Sequence, residues 1–78
     1  MPLDENYPAE VRALLARRVK HFRTLLGLSM EDLAARGPEG LRSTSISRVE
    51  RGQNVTVNTV SAIAAGLGIS FEDLLREE

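Results

Sequence analysis

The sequence predicts an all-α domain of five short helices, and three observations carry that reading. Apolar residues recur every three or four positions, the spacing of one helix face, and no segment alternates as a half-buried strand does. Ser29 followed by Asp32, and Ser70 followed by Asp73, each supply a hydroxyl that caps a new helix and an acid that reaches back to it. Glycines then mark the ends of the apolar segments, at Gly27, Gly37, Gly52 and Gly68.

Residues 1–7 carry no periodicity and are expected to form a flexible N-terminal arm ahead of one domain over 8–78. Pro8 suits the first turn of helix one, with Asn6 or Tyr7 as its cap. Val11, Leu14, Leu15, Val19, Phe22, Leu25 and Leu26 make its apolar stripe, flanked by Arg12, Arg17, Arg18, Lys20 and Arg23. Gly27 and Leu28 stop it. His21 lies at the edge of the stripe and is read as a surface or half-buried imidazole.

Helix two starts at Ser29 and turns Met30, Leu33 and Ala34 to one side. Gly37 and Pro38 end it, because glycine suits a left-handed C-cap and proline cannot continue a helix. Helix three begins by Ser43. Its apolar residues Ile46 and Val49 share one side, which leaves Ser43, Thr44, Ser47 and Arg48 facing outward. Thr56 caps helix four, with Val57, Val60, Ile63, Ala64 and Leu67 on its apolar side and Gly68 at its end. Ile69, Phe71, Leu74 and Leu75 form a short fifth helix with more apolar surface than one small core needs.

Composition narrows the function. Of 78 residues 42% are apolar, with one Tyr, two Phe and no Trp, so the core is aliphatic and thin. A domain this small leans on idealised helix packing or on a second subunit. The absence of cysteine excludes disulfides and thiolate metal sites, and a single histidine argues against histidine-rich zinc ligation, so neither metal nor cofactor is expected. No apolar run approaches the roughly 18 to 20 residues of a membrane span, and the start MPLDENYP is acidic rather than a basic signal segment. A cytoplasmic protein with no membrane partner is expected.

No catalytic arrangement emerges. Ser43, Ser45 and Ser47 lack a nucleophile elbow, Glu50 lacks a second acid or base at a useful spacing, and Gly37 with Gly40 lacks the strand and the Gly-Lys-Ser/Thr of a phosphate loop. The net charge is only −1, yet residues 11–53 hold nine Lys and Arg against four Asp and Glu, a local excess of +5 between acidic ends. That distribution permits a nucleic-acid partner. Helix three, with short hydroxyl donors and one arginine on its outer face, has the size and chemistry of a helix that enters the DNA major groove.

The order Arg23, Gly27-Leu28-Ser29, Leu33-Ala34, Gly40, Ile46-Ser47, Glu50-Arg51-Gly52, Leu67-Gly68 and Leu74 resembles the Xre-type, lambda-repressor-like helix-turn-helix family over residues 22–75. The run RGQNVTVNTVSAIAAGL from Arg51 to Leu67 is further similar to the small controller proteins of restriction-modification systems. The resemblance implies a compact five-helix DNA-binding domain whose helix-turn-helix is helices two and three. It also implies a sequence-specific transcriptional regulator, a homodimer that represses or autoregulates from an inverted-repeat operator in double-stranded DNA.

Carried onto this sequence, the resemblance puts Ser43, Thr44 and Arg48 against base edges, with Arg48 the main reader. It puts Ser29, Met30, Arg51, Gln53 and Asn54 against the DNA backbone, and Arg42, standing where the family prefers a capping serine, within reach of a phosphate. It makes Arg23 and Glu50 a mostly buried structural ion pair. Phe71, Leu74 and Leu75 either close the core or form the dimer interface. Two departures stand out: Met30 replaces a glutamine that touches the backbone, and Gly37-Pro38-Glu39 lengthens the corner by about two residues. Both, with the net acidity, favour the alternative of a protein-interaction module or antitoxin-type regulator that binds a protein partner through the same scaffold.

Overall fold

The computed structural model describes residues 7–76 and contains five helices: α1 (Ala9–Leu25), α2 (Met30–Arg36), α3 (Ser43–Glu50), α4 (Val57–Leu67) and α5 (Phe71–Leu75). No strand occurs among the described residues. The expected cap at Asn6 lies outside them, as does the expected arm apart from Tyr7. Pro8 itself occupies the cap position of α1, with an extended backbone (φ −64°, ψ 163°), and its carbonyl accepts the first helical bond from Arg12 N at 2.9 Å. The helix therefore starts one residue later than the proline-first reading. Tyr7 packs against the core rather than forming part of a loose arm.

The caps fix where the other helices begin. Ser29 Oγ accepts from Asp32 N at 2.9 Å and Asp32 Oδ2 accepts from Ser29 N at 3.1 Å, which closes a reciprocal box at the start of α2. Thr56 Oγ1 accepts from Thr59 N at 3.3 Å to start α4, and Ser70 Oγ accepts from Asp73 N at 3.0 Å to start α5.

α1 packs on α3 and α5, α2 on α3 and α4, and α4 on α5. Their shared core is aliphatic: Leu15, Val19, Leu33, Ile46, Val49, Val60, Ile63 and Leu74 are all but fully buried, and Val55 from the loop after α3 closes one side. Each such side chain contributes about 1.5 to 3 kcal/mol on leaving water, so a core of this few residues still outweighs any surface pairing. The stripe of α1 is buried only in its middle. Leu25 and Leu26, at its C-terminal end, stay 69% and 45% exposed, and Val57 at the start of α4 stays 46% exposed.

α2 and α4 approach closely because Gly66 has no side chain. A Cβ there would lie 2.9 Å from Leu33 Cδ1, 3.1 Å from the Leu33 carbonyl oxygen and 3.3 Å from Gly37 Cα. Gly37 answers to the same crowding. It is not left-handed, as the C-cap reading expects, but extended at φ −81° and ψ −179°. Any Cβ would collide with the Leu41 side chain and sit 3.3 Å from the Ala62 carbonyl.

Candidate nucleic-acid interface

The corner between α2 and α3 runs through residues 37–42. Leu41 N donates to Pro38 O at 3.2 Å, Gly40 takes a positive φ of 99°, and the half-buried Leu41 packs against the core beside Gly37. The longer corner is thus folded back and pinned by an apolar side chain, and α2 still packs on α3.

α3 starts at Ser43 with Arg42 in the cap position, and the exposed Arg42 side chain makes no capping bond. Ile46 and Val49, 0% and 1% exposed, fasten the inner side of the helix to the core. Thr44 and Arg48, four residues apart, share the outer side and are exposed, while Ser43, Ser45 and Ser47 are half-buried along its edges. A helix held this way presents its donors with little freedom to retreat.

The helix ends in a tight wrap. Gln53 N donates to Arg48 O and Gly52 N to Val49 O, both at 3.0 Å, with Gly52 left-handed at φ 74°. This is the Schellman arrangement, and only glycine takes that backbone angle without strain. It turns the chain so that Arg51, Gln53 and Asn54 are all exposed beside the helix. Arg48 and Asn54 then line one shallow cleft of about 140 Å³, together with Ser45, Val55, Thr56 and Thr59.

At the start of α2 the chemistry is more mixed. Ser29 is exposed, but its amide and its hydroxyl oxygen are both engaged with Asp32, and Glu31 adds a second acid to that first turn. The bonds from Ser29, its amide first and its hydroxyl second, hold the Asp32 carboxyl below its ordinary range. Met30 is half-buried and packs against the core.

Arg23 and Glu50 tie α1 to the end of α3. Arg23 donates from Nε to Glu50 Oε2 at 2.6 Å, from Nη2 to Glu50 Oε1 at 3.0 Å and from Nη1 to Leu28 O at 2.8 Å. Their side chains are 13% and 6% exposed. The hydrogen bond to Glu50 holds the guanidinium charged more firmly than usual, against the cost of its burial.

Two more arginines of α1 are engaged internally, and the sequence pattern revealed neither engagement. Arg12 donates to Gly52 O at 3.1 Å and to Tyr7 O at 2.9 Å. Arg18 donates to Leu74 O and Asp73 O, each at 3.0 Å, and lies 4.8 Å from the centre of the Phe22 ring. The positive excess of residues 11–53 is therefore less available than the count implies. The exposed cations in that stretch are Arg17, Lys20, Arg36, Arg42, Arg48 and Arg51, and the last three belong to α3 and its immediate flanks.

Of the three residues considered for a dimer interface, Leu74 is 0% exposed and belongs to the core, so the interface role does not hold for it. Phe71 and Leu75 remain half-buried at the surface of α5. No helix among the described residues is long and apolar enough to cross a membrane. Nor do three His, Cys, Asp or Glu side chains gather there as metal ligands would.

Five short helices, the second and third joined at a corner and the third carrying polar side chains outward from an apolar anchor, define a helix-turn-helix DNA-binding domain. The helix-turn-helix family model matches residues 19–74, and the chain belongs to that family in its Xre-type, lambda-repressor-like form. It is 37% identical over 76 residues to a hypothetical transcription factor of Neisseria meningitidis, covering 96% of this chain and 70% of the relative. It is 36% identical over 70 residues to the control protein C.SmaI of Serratia marcescens, covering 88% and 81%. The crystal structure of the restriction-modification controller protein C.AhdI from Aeromonas hydrophila superposes with a TM-score of 0.70 at 34% identity, covering 81% of this chain and 94% of that one. The protein is a sequence-specific DNA-binding transcriptional regulator.

Proposed function

We propose that the protein regulates transcription as a dimer that occupies an inverted-repeat operator, in the manner that its likeness to restriction-modification controllers implies. The observation that carries this reading is the two-sided chemistry of α3: Ile46 and Val49 are sealed in the core while Thr44 and Arg48 stand exposed on the opposite side. In the major groove Arg48 donates two hydrogen bonds to guanine O6 and N7, and Ser43 and Thr44 contact neighbouring base edges.

Backbone contacts come from both ends of this unit. Arg42 at the cap of α3 and Arg51, Gln53 and Asn54 in the loop after it are exposed and reach phosphate oxygens, and the exposed Ser29 lies against the backbone at the start of α2. Met30 contributes only its amide, since its side chain packs inward. The half-buried Phe71 and Leu75 on α5 join two copies. A two-fold dimer then sets its pair of α3 helices about 34 Å apart, one turn of DNA.

The test is selection of bound duplexes from a random library, with binding competed at about 50 and 200 mM salt. Enrichment of an inverted repeat with guanine in each half-site, and a steep loss of binding at the higher salt, are expected. Retention without enrichment of any sequence would contradict the operator reading, and no retention at the lower salt would favour a protein partner instead.

A further inference from the structure

We infer that Arg12, on the first helix and outside the helix-turn-helix, is a positioning residue for DNA binding: it holds the loop after α3 in the conformation that presents Gln53 and Asn54 to the backbone. The inference rests on the DNA-binding reading of that loop. The loop contains no helix of its own; Val55 seats its far end in the core, and two hydrogen-bonded anchors hold the part before it. One is internal to α3, through the bonds of Gln53 N to Arg48 O and Gly52 N to Val49 O. The other comes from 40 residues away, where Arg12 Nε donates to Gly52 O at 3.1 Å.

These two anchors meet on one peptide group. The amide that joins Gly52 to Gln53 donates its N–H to Arg48 O and accepts Arg12 at its C=O, so both of its polar groups are fixed. A peptide held on both sides resists rotation, and its rotation is the motion that would swing Gln53 and Asn54 away from a phosphate. Arg12 is itself braced, because its Nη1 donates to Tyr7 O at 2.9 Å and Tyr7 packs on the core. A guanidinium is well shaped for such a brace. Its planar fork aims separate N–H groups at two carbonyls, which a lysine ammonium on a flexible stem does not.

Two independent readouts test the assignment with Arg12→Met, which keeps the apolar stem and removes the donors, and Arg12→Lys, which keeps the charge. The first is amide hydrogen exchange in the free protein. Exchange at Gln53 N should rise about tenfold in Arg12→Met while the amides of α4 are unchanged, because local opening and not global unfolding exposes it. The second is affinity for the selected operator. Arg12→Met should bind about tenfold more weakly with a salt slope about one smaller, the scale of one lost phosphate contact.

The decisive comparison repeats Arg12→Met in a Gln53→Ala/Asn54→Ala background, where the loop side chains it positions are gone. There the substitution should change affinity less than about twofold, since residues acting as one unit are not additive. Arg12→Lys should keep the overall charge yet fail to restore the slow exchange at Gln53. An equal loss of affinity in both backgrounds, or unchanged exchange at Gln53, would overturn the assignment. Faster exchange at Gln53 in a protein whose wild type binds no DNA would uphold the brace and instead overturn the DNA-binding reading of the loop.

Discussion

Arg23 Nε lies 2.6 Å from Glu50 Oε2, with both side chains nearly sealed from solvent, so the first helix and the last residue of α3 are joined by a charge pair rather than by apolar contact alone. Arg23 also donates to Leu28 O, so a single guanidinium links the end of α1, the turn into α2 and the end of α3. Removing one partner leaves a charge without its counterpart in a poorly solvated place. Arg23→Ala should cost about 3 to 5 kcal/mol in urea unfolding, and Arg23→Met with Glu50→Leu less than either single change. A double variant as unstable as the sum of the two would contradict this.

Gly66 sets how closely α2 meets α4. Replacing glycine by alanine inside a helix ordinarily gains about 1 kcal/mol. Here the new methyl would press on the backbone carbonyl of Leu33 at 3.1 Å and on its fully buried side chain. Overpacking of this kind costs about 1 to 3 kcal/mol, so Gly66→Ala should lower Tm despite the helix gain. A rise in Tm would show that the two helices are not in tight contact.

Asp32 gives stability a defined dependence on pH. Its carboxyl is held below the ordinary 3.8 by the Ser29 amide and then by the Ser29 hydroxyl. A lowered folded value favours the ionised form, so this stabilisation is present above about pH 3.8 and is lost as pH falls through the lower folded value. The difference in Tm between wild type and Asp32→Ala should therefore be largest near neutrality and shrink below pH 3.8. A difference that stays constant through that range would contradict the reciprocal cap.

Arg18 fastens α5 through two of that helix's backbone carbonyls, while the ring of Phe22 on its own helix supports the guanidinium. Arg18→Met should speed amide exchange in α5 and lower stability by about 1 kcal/mol, the scale of one net hydrogen bond. If Phe71 and Leu75 join two copies as proposed, the same substitution should also weaken the dimer in sedimentation. Unchanged exchange in α5 would mean that the helix is held by its apolar packing and its cap alone.

Local signals made the helices legible. Ser29 with Asp32, Thr56 and Ser70 each act within one turn of the chain, so spacing alone located three helix starts, and Ile46 with Val49 identified the buried side of α3. The long-range polar contacts were not legible. Arg12 and Arg18 bind carbonyls 40 and 56 residues away, and a backbone carbonyl carries no residue identity that a sequence could display. For the same reason a count of charges overstated the cationic surface of α1. Gly37 was placed correctly at the end of α2, yet its need for glycine comes from Leu41 and Ala62, not from its own backbone angle. Leu74 lies on the same short apolar segment as Phe71 and Leu75, and only packing against α1 and α4 separates the buried residue from its neighbours.

The most direct measurement is the affinity of wild type and Arg48→Ala for the selected operator and for the same duplex with the half-site guanine replaced by adenine. Wild type should lose about 1 to 3 kcal/mol on the base change, whereas Arg48→Ala should bind both duplexes equally weakly, because the side chain that distinguishes them is gone. Equal discrimination by the two proteins would show that Arg48 does not read the base and that the outer side of α3 is not the reading surface.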